Sequence, residues 1–176
     1  KTALAEAEVE YHDHTSTTIH VRFPIISTPD ERLSDASVVI WTTTAWTIPG
    51  NRAICYGPRL AYRLIEVEGV GEGSLARVGE RMVVADSLIE EICSEAGITA
   101  HKVLGDVEHD ALAATVCAHP WRGQGYEFDV PLFPGDHVTD DTGTGFVHTA
   151  PGHGAEDFEV GMAHGLEVPQ TVNGDG

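Results

Sequence analysis

Runs in which Val, Ile, Thr and Tyr alternate with polar residues, or follow one another without interruption, recur at 17–26, 36–43, 61–68, 100–107 and 145–149. Their lengths and β-branched content predict strands. Turn formers separate them: Thr28-Pro29-Asp30, Tyr56-Gly57-Pro58, the glycines within 69–73, and Phe133-Pro134-Gly135-Asp136. Two segments carry helical spacing instead. The first opens at Asp86 as an N-cap, places Leu88, Ile89, Ile92, Cys93 and Ala96 on one face, and stops at Gly97. The second spans about 154–164, with Phe158 and Met162 four apart and Gly165 past its end. Many short strands with few helices predict a mainly β fold, a closed or nearly closed β-barrel with peripheral α-helices packed outside it. Neither a repeat nor a linker divides the chain, so 1–176 reads as a single domain.

A chain of 176 residues can bury roughly 70% of the surface its unfolded form exposes, enough for one core without metal or disulfide staples. Hydrophobic residues at 41% and charged ones at 22% place it among ordinary folded domains rather than disordered chains. No apolar run approaches the ~18 residues of a membrane span. The opening KTALAEAEVEYHDH has no signal pattern and no initiator Met, and TVNGDG ends on no regular element, so the expectation is a fragment of something longer. Cys55, Cys93 and Cys117, an odd number spaced far apart, point to reduced thiols and a cytoplasmic setting. The formal charge of −18, from 10 Lys and Arg against 28 Asp and Glu, repels a phosphate backbone. Taken alone, the chain is therefore expected to bind nucleic acid poorly.

Candidate chemistry concentrates in two segments. In VVIWTTTAWTIPGN at 38–51, a buried strand changes character at Thr42, and four hydroxyls follow within six residues. If the extended geometry persists, Thr42 and Thr44 share one side and Thr43 faces the other. A solvated strand end is one reading; Trp41 and Trp46 flanking the hydroxyls, and the Pro49-Gly50-Asn51 turn, favour a shaped pocket wall. In GTGFVHTAPGHGAEDF at 143–158, glycines at 143, 145, 152 and 154 permit tight turns and close backbone approach around His148, Thr149, Pro151 and His153. Glu156 and Asp157 follow at a helix start, about 100° apart around its axis, so only one of them faces a common pocket. Either acid also suits a helix dipole. His148, His153 and Asp157 at spacings of five and four admit a rival reading as a metal site. The other histidines, His12, His14, His20, His101, His109 and His119, read as scattered surface residues, with His119 ending a strand before Pro120.

Together, WTTTxWTxPxN and GTGxVHxAPGHGxxD resemble the editing domain inserted in the isoleucyl, valyl and leucyl class I tRNA synthetases, in the usual order. The similarity continues through Ala118-His119-Pro120, 125–131 and 135–138, and His148 with 149–154 looks like the isoleucyl, bacterial version. Ala45 stands where the family usually has proline, and Gly50 where it often has alanine. The resemblance implies the barrel of these editing domains, excised from a larger synthetase. It implies hydrolysis of the ester in mischarged valyl-tRNA(Ile), with no cofactor in the domain. The implied partners are the 3′ acceptor end of tRNA(Ile) carrying valine and the remainder of the parent synthetase, with no membrane. Neither HIGH-like nor KMSKS-like signatures nor an ATP-binding glycine loop occurs, so amino acid activation is not expected here. The alternatives are the editing domain of the related valyl synthetase and a non-catalytic tRNA-docking insert.

Chemistry makes the implied site residues reasonable. One methylene separates valine from isoleucine, and an apolar pocket resolves it by only about 1–3 kcal/mol, a general figure for which isoleucyl-tRNA synthetase is itself the standard illustration. A second sieve must admit the smaller ester and crowd out the larger, which Thr42, Thr43, Thr44 and His148 would line, with Trp46 and Thr149 beside them. Asp157 would grip the α-ammonium through charge-assisted hydrogen bonds. Thr43, His148 and Asp157 are the candidates for a part in the hydrolysis itself. For His148 two roles remain open, general base and size-excluding wall.

Overall fold

Strand order follows from where the chain can and cannot donate hydrogen bonds. The computed structural model describes residues 17–171 and 173; His12 and His14 lie outside the described residues. Strand β1 (Ile19–Ser27) runs antiparallel to β2 (Ala36–Thr42) from Ile19↔Thr42 to Pro24↔Ser37, then shifts register and pairs with β7 (Val116–Ala118). Pro24 stands at the change of partner, because it has no N–H to extend the ladder. Strand β4 (Tyr62–Val70) joins β5 (Arg81–Ala85) and β6 (Ile98–Val107) antiparallel, and β5 lies parallel to β2. Strand β8 (Asp129–Pro134) links β7 to β3 (Ala53–Tyr56), and β3 pairs antiparallel with β9 (Phe146–Thr149).

The nine strands form one mixed sheet in the order β6-β4-β5-β2-β1-β7-β8-β3-β9. Among the described residues no ladder joins β6 to β9, so the expected barrel closure is corrected to an open, bent sheet. The two ends are poor partners: β6 carries register irregularities and an exposed Lys102 on its edge, and β9 has only four residues. The side chains of Phe23, Leu33, Val38, Ile40, Ile54, Leu64, Ile65, Ile92 and Leu132 form the core.

Helices α1 (Ile89–Glu95), α2 (His109–Ala113) and α3 (Ala155–His164) lie outside the sheet, and none of the described helices is long and apolar enough to cross a membrane. Asp86 does not cap α1 as expected. It opens a 3-10 turn that precedes the helix, and its carboxylate accepts from Arg63 Nε at 2.9 Å. Gly97 does end the helix, at φ +68°. The expected span of α3 is borne out, with Gly154 as N-cap and Gly165 left-handed, whereas Phe158 and Met162 are exposed rather than packed.

One buried hydroxyl ties the approach to β9 into this frame. Tyr62 Oη donates to the Gly145 carbonyl at 2.6 Å and accepts from the Gly57 N–H at 2.7 Å. Gly145 has φ +77°, and a Cβ there would lie 2.4 Å from Ala85 Cβ, so only glycine lets the chain pass. Replacing Tyr62 by Phe leaves two buried backbone groups unpaired, and is expected to cost about 2 kcal/mol. Urea denaturation should show a lowered midpoint with an unchanged slope.

Candidate functional site

Strand β2 ends at Thr42, and the extended geometry does not persist beyond it. The Thr44 N–H donates to Thr42 Oγ1 at 3.1 Å, and the two hydroxyls approach to 3.1 Å. Thr42 and Thr44 therefore do share a side, but a side-chain-to-backbone turn brings them together, not strand alternation. A 3-10 turn follows over Ala45–Gly50. Thr47 clamps it by donating from both its N–H (2.9 Å) and its Oγ1 (2.8 Å) to the Thr44 carbonyl. These bonds stiffen a turn that has Ala45 where a proline would otherwise restrict the backbone. Thr43 is exposed at the bend, and Trp46 is 72% exposed.

The second segment meets this turn along its length. Trp41 lies in van der Waals contact with the position a Cβ on Gly143 would take. His148 Nε2 is 3.0 Å from Thr47 Oγ1, and its Nδ1 is 3.5 Å from Asn51 Nδ2. Gly50 has no Cβ to strike the His153 ring, whose Cδ2 would be 3.0 Å away; that small residue is what lets the ring sit there.

The hydrogen-bond inventory around His148 assigns its tautomer. Thr47 has one hydroxyl proton and spends it on the Thr44 carbonyl, so Nε2 carries the proton and donates to Thr47 Oγ1. Asn51 Nδ2 donates to the Ala53 carbonyl at 2.8 Å, which fixes the amide with its second N–H toward Nδ1. Both ring nitrogens thus face protein groups, and only ring carbons remain to meet a ligand. Burial, followed by the neighbouring His153 and His119 rings, lowers the His148 pKa to about 4. At neutral pH the ring is uncharged; a general base would need a nitrogen free to take a proton from water, and here both nitrogens face protein groups.

Strand alternation turns Thr149 to the opposite face from His148. It is fully buried, with its hydroxyl 3.3 Å from Cys55 Sγ, so the structure places this expected pocket residue in the core. Asp157, in the first turn of α3, accepts from the Ala150 N–H at 2.8 Å through Oδ2. Its other oxygen has no hydrogen bond among the described residues, and Glu156 is exposed, as the helical geometry requires. Burial raises the Asp157 pKa, against the Ala150 hydrogen bond and the His137 and His153 rings, which lower it. The metal reading finds no support in the ligand directions: His148 is engaged as above, and His153 Nε2 pairs with Thr171 Oγ1 at 2.5 Å. Among the described residues no group of three or more His, Cys, Asp or Glu side chains has metal-holding geometry.

No family model matches the chain. The isoleucine–tRNA ligases of Gluconobacter oxydans and Bradyrhizobium diazoefficiens are 53% and 51% identical to it, over alignments that take in 100% of this chain. The chain spans 18% and 19% of the length of those relatives. Among solved structures, that of GlLeuRS-CP1 matches with a TM-score of 0.61 at 13% identity, covering 85% of this chain and 66% of that one. The editing domain of the P. falciparum cytosolic leucyl-tRNA synthetase gives a TM-score of 0.56 at 12% identity, covering 74% and 48%. By sequence the chain is similar over its whole length to a part of the isoleucine–tRNA ligases, and its fold is similar to that of the CP1 editing domains.

Within this editing-domain fold, sequence reading missed three positions. Thr47 and Asn51 were legible as motif letters, but their bonds to His148 join residues 101 and 97 apart in the chain. His119, expected at the surface, is 1% exposed; it donates from Nε2 to the Ile48 carbonyl at 2.9 Å and stacks on Tyr126 at 4.7 Å. It supports the floor of the Thr-rich turn from behind.

The depressed His148 pKa has a definite sign in stability. Between the unfolded value of about 6.5 and the folded value of about 4, the unfolded chain takes up a proton that the folded one refuses. Stability is therefore fully present above the unfolded pKa and is lost as pH falls toward 4. Between pH 7 and pH 5 this one ring should remove about 2 kcal/mol. Urea titrations at both pH values should show a loss in the His148→Gln variant smaller by that amount.

Proposed function

We propose that this chain is the proofreading hydrolase of an isoleucyl-tRNA synthetase, cleaving the ester of valine on tRNA(Ile). The observation that carries the reading is the carboxylate of Asp157, anchored to the Ala150 N–H two residues beyond His148 and with its other oxygen unpaired among the described residues. An anchored, half-buried acid beside an uncharged wall suits a substrate that presents a free ammonium and a small branched side chain. Binding the ammonium would offset the burial that raises the Asp157 pKa, and would hold the carboxylate in its charged form.

The hydroxyls of Thr42 and Thr44 stand within reach of one another and are suited to orient a water or an ester oxygen. Thr43 and Trp46, both exposed at the same turn, remain candidates for contact with the incoming aminoacyl end. His148 limits the size of the side chain that fits. The ester is already activated, so holding water and carbonyl in line supplies a large part of the acceleration without a basic side chain.

The charge of −18 assigns the polyanion elsewhere. In this reading only the single-stranded acceptor end, carrying valine, enters the domain, and the remainder of the parent synthetase in the cytoplasm holds the tRNA. The similarity to isoleucine–tRNA ligases across the whole chain supports that context.

Asp157→Ala and Asp157→Asn separate the two uses of the carboxylate. Asparagine can still accept from the Ala150 N–H through its amide oxygen, but it carries no charge. In a full-length ligase containing this chain, both variants should lower kcat/KM for deacylation of valyl-tRNA(Ile) by about 10- to 100-fold, the range lost with a charge-assisted contact. Near-normal deacylation by the asparagine variant would remove the ammonium grip. In the same assay His148→Ala should admit isoleucyl-tRNA(Ile), and an unaltered preference for valine would take His148 out of the sieve.

A further inference from the structure

We propose that Thr47 is a specificity-determining positioning residue: by accepting from His148 Nε2 it fixes the ring's tautomer and plane, and so sets the largest side chain the pocket admits. The inference deepens the editing reading above and rests on it.

The argument starts from the ring. A histidine used as a steric gauge must not swivel, because a rotation about its χ2 torsion would move its edge by more than the width of the methylene it has to detect. Packing alone restrains χ2 weakly, since that torsion is broad for an imidazole. Two directional bonds on opposite sides of the ring restrain it far better. Thr47 Oγ1 supplies one at 3.0 Å, and Asn51 Nδ2 approaches on the other at 3.5 Å. The shorter contact is the stronger, so Thr47 is the principal clamp.

Thr47 is itself held. Its N–H and hydroxyl both donate to the Thr44 carbonyl, which leaves its oxygen only as an acceptor toward the ring. The Thr44 hydroxyl lies 3.5 Å from the same atom, and 3.1 Å from Thr42 Oγ1. A chain of hydroxyls therefore runs from the end of β2 to the imidazole, and the Thr-rich wall and the histidine form one rigid unit. The Thr47 hydroxyl is taken up on both sides, donating to the Thr44 carbonyl and accepting from the His148 ring, so it acts through His148 rather than by bonding the ligand.

The test uses Thr47→Val, which keeps the branched shape and removes the acceptor, and Thr47→Ser, which keeps the acceptor. In a full-length ligase containing this chain, Thr47→Val should lower the ratio of kcat/KM for valyl-tRNA(Ile) to that for isoleucyl-tRNA(Ile) at least tenfold, with the serine variant restoring most of the ratio. Long-range 1H–15N spectra of the histidine rings supply a second readout. They should show His148 in the Nε2–H tautomer in the unsubstituted 176-residue chain, tautomerically mixed in Thr47→Val, and restored in Thr47→Ser. An unchanged ratio in Thr47→Val, an equal loss in both variants, or an Nδ1–H ring in the unsubstituted chain overturns the proposal. If the unsubstituted ligase does not hydrolyse valyl-tRNA(Ile), the editing reading fails and the size-limit role falls with it, while the ring spectra still decide whether Thr47 holds the tautomer.

Discussion

A buried imidazole satisfied at both nitrogens is the constraint around which this site is arranged. Removing a polar ring from water costs least when each of its nitrogens finds a partner. His148 finds Thr47, inside the 3-10 turn, and Asn51, its C-terminal cap, so the ring's place and that of the turn are set together. The rest of the architecture serves this meeting. Strand β9 reaches it because β3 pairs it at Ile54↔His148 and because Gly145 passes beneath Ala85 under the Tyr62 hydroxyl. From the far side, His119 donates to Ile48 inside the same turn.

Electrostatics divides the labour between the wall and the acid. Burial acts on both His148 and Asp157, and in each case it disfavours the charged form, lowering one pKa and raising the other. For the histidine this is compatible with its part, since a neutral ring fills space without attracting ions. For the aspartate the same burial is opposed by the Ala150 N–H and by two neighbouring rings, and under the proposed function the substrate's ammonium completes the compensation. On that proposal, an acidic domain that repels phosphates takes in only the aminoacylated end of a nucleic acid.

Local chemistry in the chain was enough to place five strands, the end of α1 at Gly97 and the whole of α3, because period and punctuation are properties of neighbouring residues. Four strands were not revealed: β5, a short buried run at Arg81–Ala85, and three whose signals are weak at short range. Ala53–Tyr56 is buried on both faces and shows no alternation, Val116–Ala118 is three residues long, and β8 carries Pro131 and Pro134, which argue against a strand until a partner of matching register is known. Sheet closure was beyond reach for the same reason: whether β6 and β9 meet depends on the accumulated twist and bulges of the strands between them.

By itself the sequence determined which residue types could do chemistry and where they cluster: the threonines at 42–44, the histidine at 148 and the acid at 157. Tertiary structure alone decided which of them face one another. It turned Thr149 into the core and left Thr43 and Trp46 exposed, it gave Thr47 and Asn51 the two nitrogens of His148, and it pinned one oxygen of Asp157 to the backbone. The physical reason is that a hydrogen bond between residues a hundred positions apart leaves no trace in local periodicity; it exists only once the sheet has brought strand β9 and the 3-10 turn within 3 Å of each other.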